Sequence, residues 1–309
     1  MTHSRLFAVL TAIPLALALV LAAGCGDSGK KDGAPAKDGG GTKDGTTSSG
    51  PAKKLEAYDA KGTGTIEGKV VYDGNPPAAE ALDMSKDDTG HCKKAPDEEK
   101  AKQTWKIVDG GVANVIVYVK APDGKFFKID ADKAKKEDVV IKQPFCAFEP
   151  HVFALFPSYY DAASGKQKPT GQKLKVENNA PIPHNSNVEF GHPKLTSGKN
   201  QLLPPHKEGE KLAEMDFTDI KTSTATTAGG IETVKIGCNI HPWMSAYGQA
   251  FDHPFFTVTK DGKFKIENVP AGGELEVFIW HESMAAPKSL GKVKVEDGKT
   301  ATVPEAKIK

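Results

Sequence analysis

Gly237-Cys238-Asn239-Ile240-His241-Pro242-Trp243-Met244 carries one thiolate, one imidazole and one thioether within a few residues. Pro183-His184-Asn185, far upstream, adds a second imidazole. Two residues separate Cys238 from His241 and two more separate His241 from Met244, so one tight loop can present all three side chains. His184 must arrive from elsewhere in the fold. Two histidines and a cysteine in a trigonal plane, with a weak axial methionine, are the donor set that suits a mononuclear blue-copper site.

Other readings of the same residues are weaker. Cys-x-x-His alone says little, because buried cysteines are common. Structural zinc takes four Cys, His or carboxylate ligands, and methionine is not among its usual donors. Haem attachment needs Cys-x-x-Cys-His, which is absent. A Cys/His nucleophile remains conceivable, but no Gly-rich elbow accompanies it.

Upstream, Gly171-Gln172-Lys173-Leu174-Lys175-Val176-Glu177-Asn178-Asn179 alternates as a strand, with Leu174 and Val176 on one face. It runs into Ala180-Pro181-Ile182-Pro183-His184-Asn185. This arrangement resembles the cupredoxin family, where a strand ending in an Asn-rich turn leads to the first copper histidine. The Cys-x-x-His-x-x-Met spacing is similar to that of its amicyanin-like members; plastocyanin-like members more often have a longer gap before Met. The resemblance covers about residues 137–252. It implies one type I copper ion held by His184, Cys238, His241 and Met244. It also implies that Asn185 ties the His184 and Cys238 loops together. The chain departs from the family over 191–230, a long stretch rich in Gly, Pro, Lys and Thr, which leaves the surface near the copper open.

The N-terminus reads as an export signal. His3 and Arg5 precede an apolar run from Leu6 to Ala23, and Leu21-Ala22-Ala23-Gly24-Cys25 ends in small residues. That ending looks like a bacterial lipobox, with Cys25 as the lipidated mature N-terminus; an ordinary cleaved signal is the alternative. Lipidation places the protein at the periplasmic face of the cell membrane or at the outer membrane. From Gly26 to about Gly62 the composition is Gly, Lys, Asp, Ser, Thr, Ala and Pro, too polar to offset its ordering entropy. Such a tether of roughly 35 residues reaches on the order of 30–35 Å.

Lys and Arg number 41 against 40 Asp and Glu, and loss of Arg5 with the signal leaves the mature chain neutral. No basic stripe points to nucleic acid, and no phosphate-cradling glycine motif points to nucleotides. Two cysteines are left over, Cys92 and Cys146, and spare cysteines in an exported chain usually pair. The predicted disulfide competes with a second metal site drawn from His91, Cys92, Cys146 and His151. His192, His206, His253 and His281 have no partner at ligand spacing.

Nearly every periodic segment of the folded part is a short β-like run, so the fold class is all-β. Strands are predicted over Thr65–Tyr72, Ala113–Lys120, Leu275–Trp280 and Lys292–Val295. Phe256–Thr259 and Phe264–Ile266 read as a hairpin about Asp261-Gly262. Short charged helices are candidates over 97–104 and 131–137. Gly64–Gly74 and Thr259–Gly272 resemble the opening strand and the later hairpin of a carboxypeptidase-regulatory-like β-sandwich. The organisation that follows is a signal over 1–25, a linker over 26–61, a sandwich made of 62–136 plus 253–309, and the cupredoxin-like domain, a Greek-key barrel, inserted over 137–252. Three consecutive units are the alternative, but 57 C-terminal residues make a marginal core.

A tethered carrier cycling one copper and meeting unknown redox partner proteins is the leading function. Copper delivery or buffering uses the same residues, although only five methionines are present. A surface structural role for the sandwich is a third reading. No enzymatic constellation is visible.

Overall fold

Strands appear where apolar residues alternate with polar ones, and their pairing sorts them into two β bodies. The computed structural model describes residues 55–309 except 86, 88–89, 131–136 and 223–230. The signal segment with Cys25, nearly all of the linker, and 131–136 of the second helix candidate therefore lie outside the described residues. The strands that position the site are, in chain order, β1 (Thr63–Tyr72), β2 (Ile116–Lys120), β3 (Val139–Gln143), β4 (Val152–Leu155), β5 (Leu174–Asn178), β6 (His184–Phe190), β7 (Lys199–Leu203), β8 (Ala213–Phe217), β9 (Glu232–Gly237), β10 (Ser245–Ala250), β11 (Phe256–Val258), β12 (Lys263–Pro270), β13 (Gly273–Trp280) and β14 (Lys288–Val295). Helix among the described residues is limited to two 3-10 turns, Cys92–Lys94 and Asp97–Lys100. The 97–104 candidate thus contracts to a single turn: its charged residues have no apolar stripe to bury.

Segments from both ends of the folded chain share sheets. β1 pairs antiparallel with β12, with Ile66 opposite Ile266. β2 lies between β11 and β13, and β14 extends the sheet beyond β13. Ile66, Val70, Val117, Val119, Leu275, Val277 and Ile279 fill the core between these two sheets.

The hairpin expected about Asp261-Gly262 does not form. β11 joins the β2 sheet and β12 joins the β1 sheet, so the chain turns a corner between them. Thr259 fixes that corner: its Oγ1 accepts from the Val115 N–H at 3.0 Å and donates to the Val112 carbonyl at 2.7 Å. Gly262 sits there at φ +81°, and a Cβ on it would come 2.3 Å from the Val70 carbonyl oxygen. Only glycine tolerates both the backbone and the crowding.

Residues 139–250 build a second pair of sheets. One has the order β8-β5-β3, the other β7-β6-β9-β10-β4. Ile141, Leu174, Val176, Met215 and Phe217 from the first meet Phe153, Val188, Val234, Ile236 and Ala246 from the second in one core. The 191–230 stretch supplies β7 and β8, and β7 lies against the histidine strand with Leu203 opposite His184 and Leu202 opposite Asn185. Met84 and Cys92 belong to this same core. The segment around 82–92, assigned from sequence to the sandwich, thus packs on the other body. The Cys92–Cys146 disulfide fastens it there, with Cα atoms 5.1 Å apart, within the usual span. Ile116 and Tyr118 of the sandwich pack with Val152 and Phe251, joining the two bodies through apolar contact.

Candidate metal centre

β9 and β10 are neighbours whose last register pair is Gly237 with Ser245, so residues 238–244 form the loop that closes their hairpin. The Met244 N–H donates to the His241 carbonyl at 2.9 Å, and the Cys238 N–H to the Met244 carbonyl at 3.4 Å. This tight local turn is what the Cys-x-x-His-x-x-Met spacing produces. β6 pairs with β9, Asn187 lying opposite Gly237, and this register carries His184 at the start of β6 to the same end of the sheet as the loop.

Three donor atoms converge there. The His184 and His241 Nδ1 atoms are 3.1 Å apart, and Cys238 Sγ is 3.9 Å from His241 Nδ1. The donor atoms of His184, Cys238 and His241 all lie within 4.8 Å of one another. An ion bound by two nitrogens at about 2.0 Å and one sulfur at about 2.3 Å in a plane would separate the two nitrogens by about 3.5 Å and each nitrogen from the sulfur by about 3.7 Å. The two His241 spacings lie close to those values, and the residues would fit a metal held by two imidazoles and one thiolate. Met244 is buried in the same core as Cys238.

Electrostatics favours ligation. His184 is completely buried and His241 nearly so. Burial, and then the neighbouring His241 ring, push the His184 imidazole down to about 3. It therefore stays neutral and keeps a lone pair for a metal. The His241 backbone N–H donates to Cys238 Sγ at 3.4 Å.

Asn185 links the two halves. Its Oδ1 accepts from the backbone N–H groups of Asn239 at 2.5 Å and Ile240 at 3.2 Å, and lies 3.4 Å from Cys238 Sγ. Its Nδ2 donates to Asn239 Oδ1 and Asn200 Oδ1, both at 2.8 Å. Sequence reasoning missed the next ring of support. The Asn178 amide reaches the carbonyls of Ile182, Leu203 and Pro204, and its Oδ1 accepts from the Ala180 N–H. Gln143 donates to Ser186 Oγ and to the Glu177 carbonyl. A polar residue at a core-facing strand position was the available signal for both.

The second metal cluster drawn from sequence comes apart in the fold. His151 turns to the other body: its Nε2 is 2.8 Å from Glu282 Oε1 and its Nδ1 3.0 Å from the Ser245 carbonyl. His91 contacts the Pro144 carbonyl and stacks on Phe145. The disulfide itself, however, lies against the centre, with both sulfurs and a His241 ring nitrogen within 4.8 Å of one another. Trp243 packs against the His241 ring at 5.2 Å between centroids. A cleft of about 570 Å3 opens beside the loop, its lining including Cys146, His151, Trp243, Met244 and Glu282. Of the other histidines, His281 contacts the Thr104 carbonyl and stacks on Trp105, and His253 is buried among Phe127, Phe251 and Phe255.

No family model matches the chain, and no curated protein matches it. Among solved structures, a copper-containing nitrite reductase from Thermus scotoductus SA-01 is similar at 14% identity and a TM-score of 0.22. The match covers 37% of this chain and 22% of that one. A likeness of that size leaves the centre to be read from its own geometry.

Proposed function

We propose that the chain is an exported, lipid-anchored electron carrier whose 137–252 segment is a cupredoxin-like domain, inserted in a carboxypeptidase-regulatory-like sandwich, that holds one type I copper. The observation that carries this reading is the convergence of His184, Cys238 and His241 donor atoms within 4.8 Å, all buried. Copper, when bound, supplies a one-electron couple. The protein's own part is to keep the His184 imidazole neutral, to place the Cys238 sulfur beside the His241 backbone N–H, and to exclude water. Met244, buried in the same core as Cys238, would be the fourth residue to hold the copper. With the donors buried and clamped by Asn185, the site has little freedom to change shape between oxidation states, which suits a carrier better than an enzyme that must admit substrate. Anchorage through Cys25 and the polar linker lets the folded head meet redox partner proteins near a membrane.

A visible spectrum of the oxidised, copper-loaded protein tests this. An intense blue or green charge-transfer band that disappears in Cys238→Ser is the expected result. A colourless Cu(II) protein, or a band indifferent to that substitution, rejects electron transfer through this centre. Membrane fractionation of wild type and Cys25→Ser tests the anchor.

A further inference from the structure

We infer that Cys92 and Cys146, once their disulfide is reduced, form with His241 a second soft-metal site that takes Cu(I). The disulfide is not remote from the first centre: its two sulfurs and a His241 ring nitrogen lie within 4.8 Å of one another. All three residues are buried, at 0%, 1% and 5% exposure respectively. They come from three separate segments: Cys92 and Cys146 lie in one core with Met84 and Cys238, and His241 stands on the loop that follows Cys238. Reduction breaks the sulfur–sulfur bond and lets the two side chains rotate apart beside His241.

Chemistry selects the ion. Two thiolates and one imidazole make a soft donor set, which favours Cu(I) over harder divalent ions. The thiols sit where burial excludes competing water. The steps balance as follows: a dithiol reductant gives two electrons and two protons to the disulfide and is itself oxidised to a disulfide, leaving Cys92 and Cys146 as thiols. Binding Cu(I) then releases one proton for each sulfur that ligates as thiolate. Access is from the cleft of about 570 Å3, whose wall includes Cys146 beside Trp243 and Met244. His241 is common to both donor sets. A neutral imidazole has one lone pair, so the two adjoining cradles share His241 in turn, and the thiol state of Cys92 and Cys146 decides whether the second is open.

The test uses the full chain carrying Cys238→Ser and His184→Ala, which together disable the first cradle and so separate this inference from the electron-carrier reading. Cu(I) is titrated against the chromophoric chelator bicinchoninate before and after treatment with dithiothreitol. The expected result is a rise from none to one chelator-resistant Cu(I) per chain on reduction, with about two short sulfur scatterers in the copper X-ray absorption spectrum. Adding Cys92→Ser and Cys146→Ser removes that uptake. Wild type treated in parallel covers any folding defect of the variants, since its sulfur coordination should rise on reduction. A disulfide that dithiothreitol cannot open in the folded protein, or reduced protein that takes up no additional Cu(I), overturns the inference whatever the colour of the oxidised wild type.

Discussion

Replacing Asn185 by Ala removes the side chain through which the His184 strand and the 238–244 loop hold each other. Two backbone N–H groups, those of Asn239 and Ile240, lose their acceptor, and Asn200 and Asn239 lose a donor. Four neutral hydrogen bonds at about 1 kcal/mol each set an upper value near 4 kcal/mol. Asn239 and Ile240 are exposed, so water replaces part of what their N–H groups lose. The net expectation is a loss of about 2–3 kcal/mol in urea unfolding of the metal-free protein, with copper released faster from the loaded form. Asn185→Asp distinguishes the two sides of the network. It keeps the oxygen that accepts from the loop but loses both donated bonds and sets a negative charge beside the Cys238 sulfur. It should retain loop geometry yet weaken Cu(I) binding more than Cu(II) binding. An Ala variant less than about 0.5 kcal/mol destabilised, with an unchanged copper off-rate, would refute the reasoning that Asn185 clamps the site.

Met244→Leu should leave copper bound and raise the reduction potential, because a donor that favours Cu(II) is removed, whereas Met244→Gln should lower it; voltammetry that finds neither shift rejects axial ligation. Glu282→Ala should cost about 1–3 kcal/mol in chemical denaturation, since the buried His151 ring nitrogen, 2.8 Å from that carboxylate, would lose its hydrogen-bond partner; a loss below about 0.5 kcal/mol would show that the contact does not hold the two bodies together. Burial pushes His253 down to about 3, so between its ordinary pKa near 6.5 and about 3 the unfolded chain binds a proton that the folded chain refuses. Stability should therefore fall as pH drops through that window, by up to a few kcal/mol from this residue. His253→Phe should flatten the decline by up to one proton's worth of slope, and an unchanged pH profile would contradict a neutral buried imidazole.

What the sequence by itself determined is what short spacing can encode. The loop of Cys238, His241 and Met244 closes a hairpin between adjacent strands, so its geometry follows from residues a few positions apart. Alternation marked Leu174 and Val176 as a core face, and both are fully buried. Cys92 and Cys146 were left to pair by elimination, and they are joined. Tertiary structure decided everything that depends on which distant segments meet. The Asp261-Gly262 turn has the composition of a hairpin, yet packing sends its two arms into different sheets, because β1 and β2 supply better partners than the arms offer each other. His151 finds Glu282 across the junction of the two bodies. The disulfide comes to rest against His241 because Met84 and Cys92 leave their own flank to fill the other core. Local propensity sets each strand, but the burial of apolar surface over the whole chain chooses the neighbours, and no spacing within one segment records that choice.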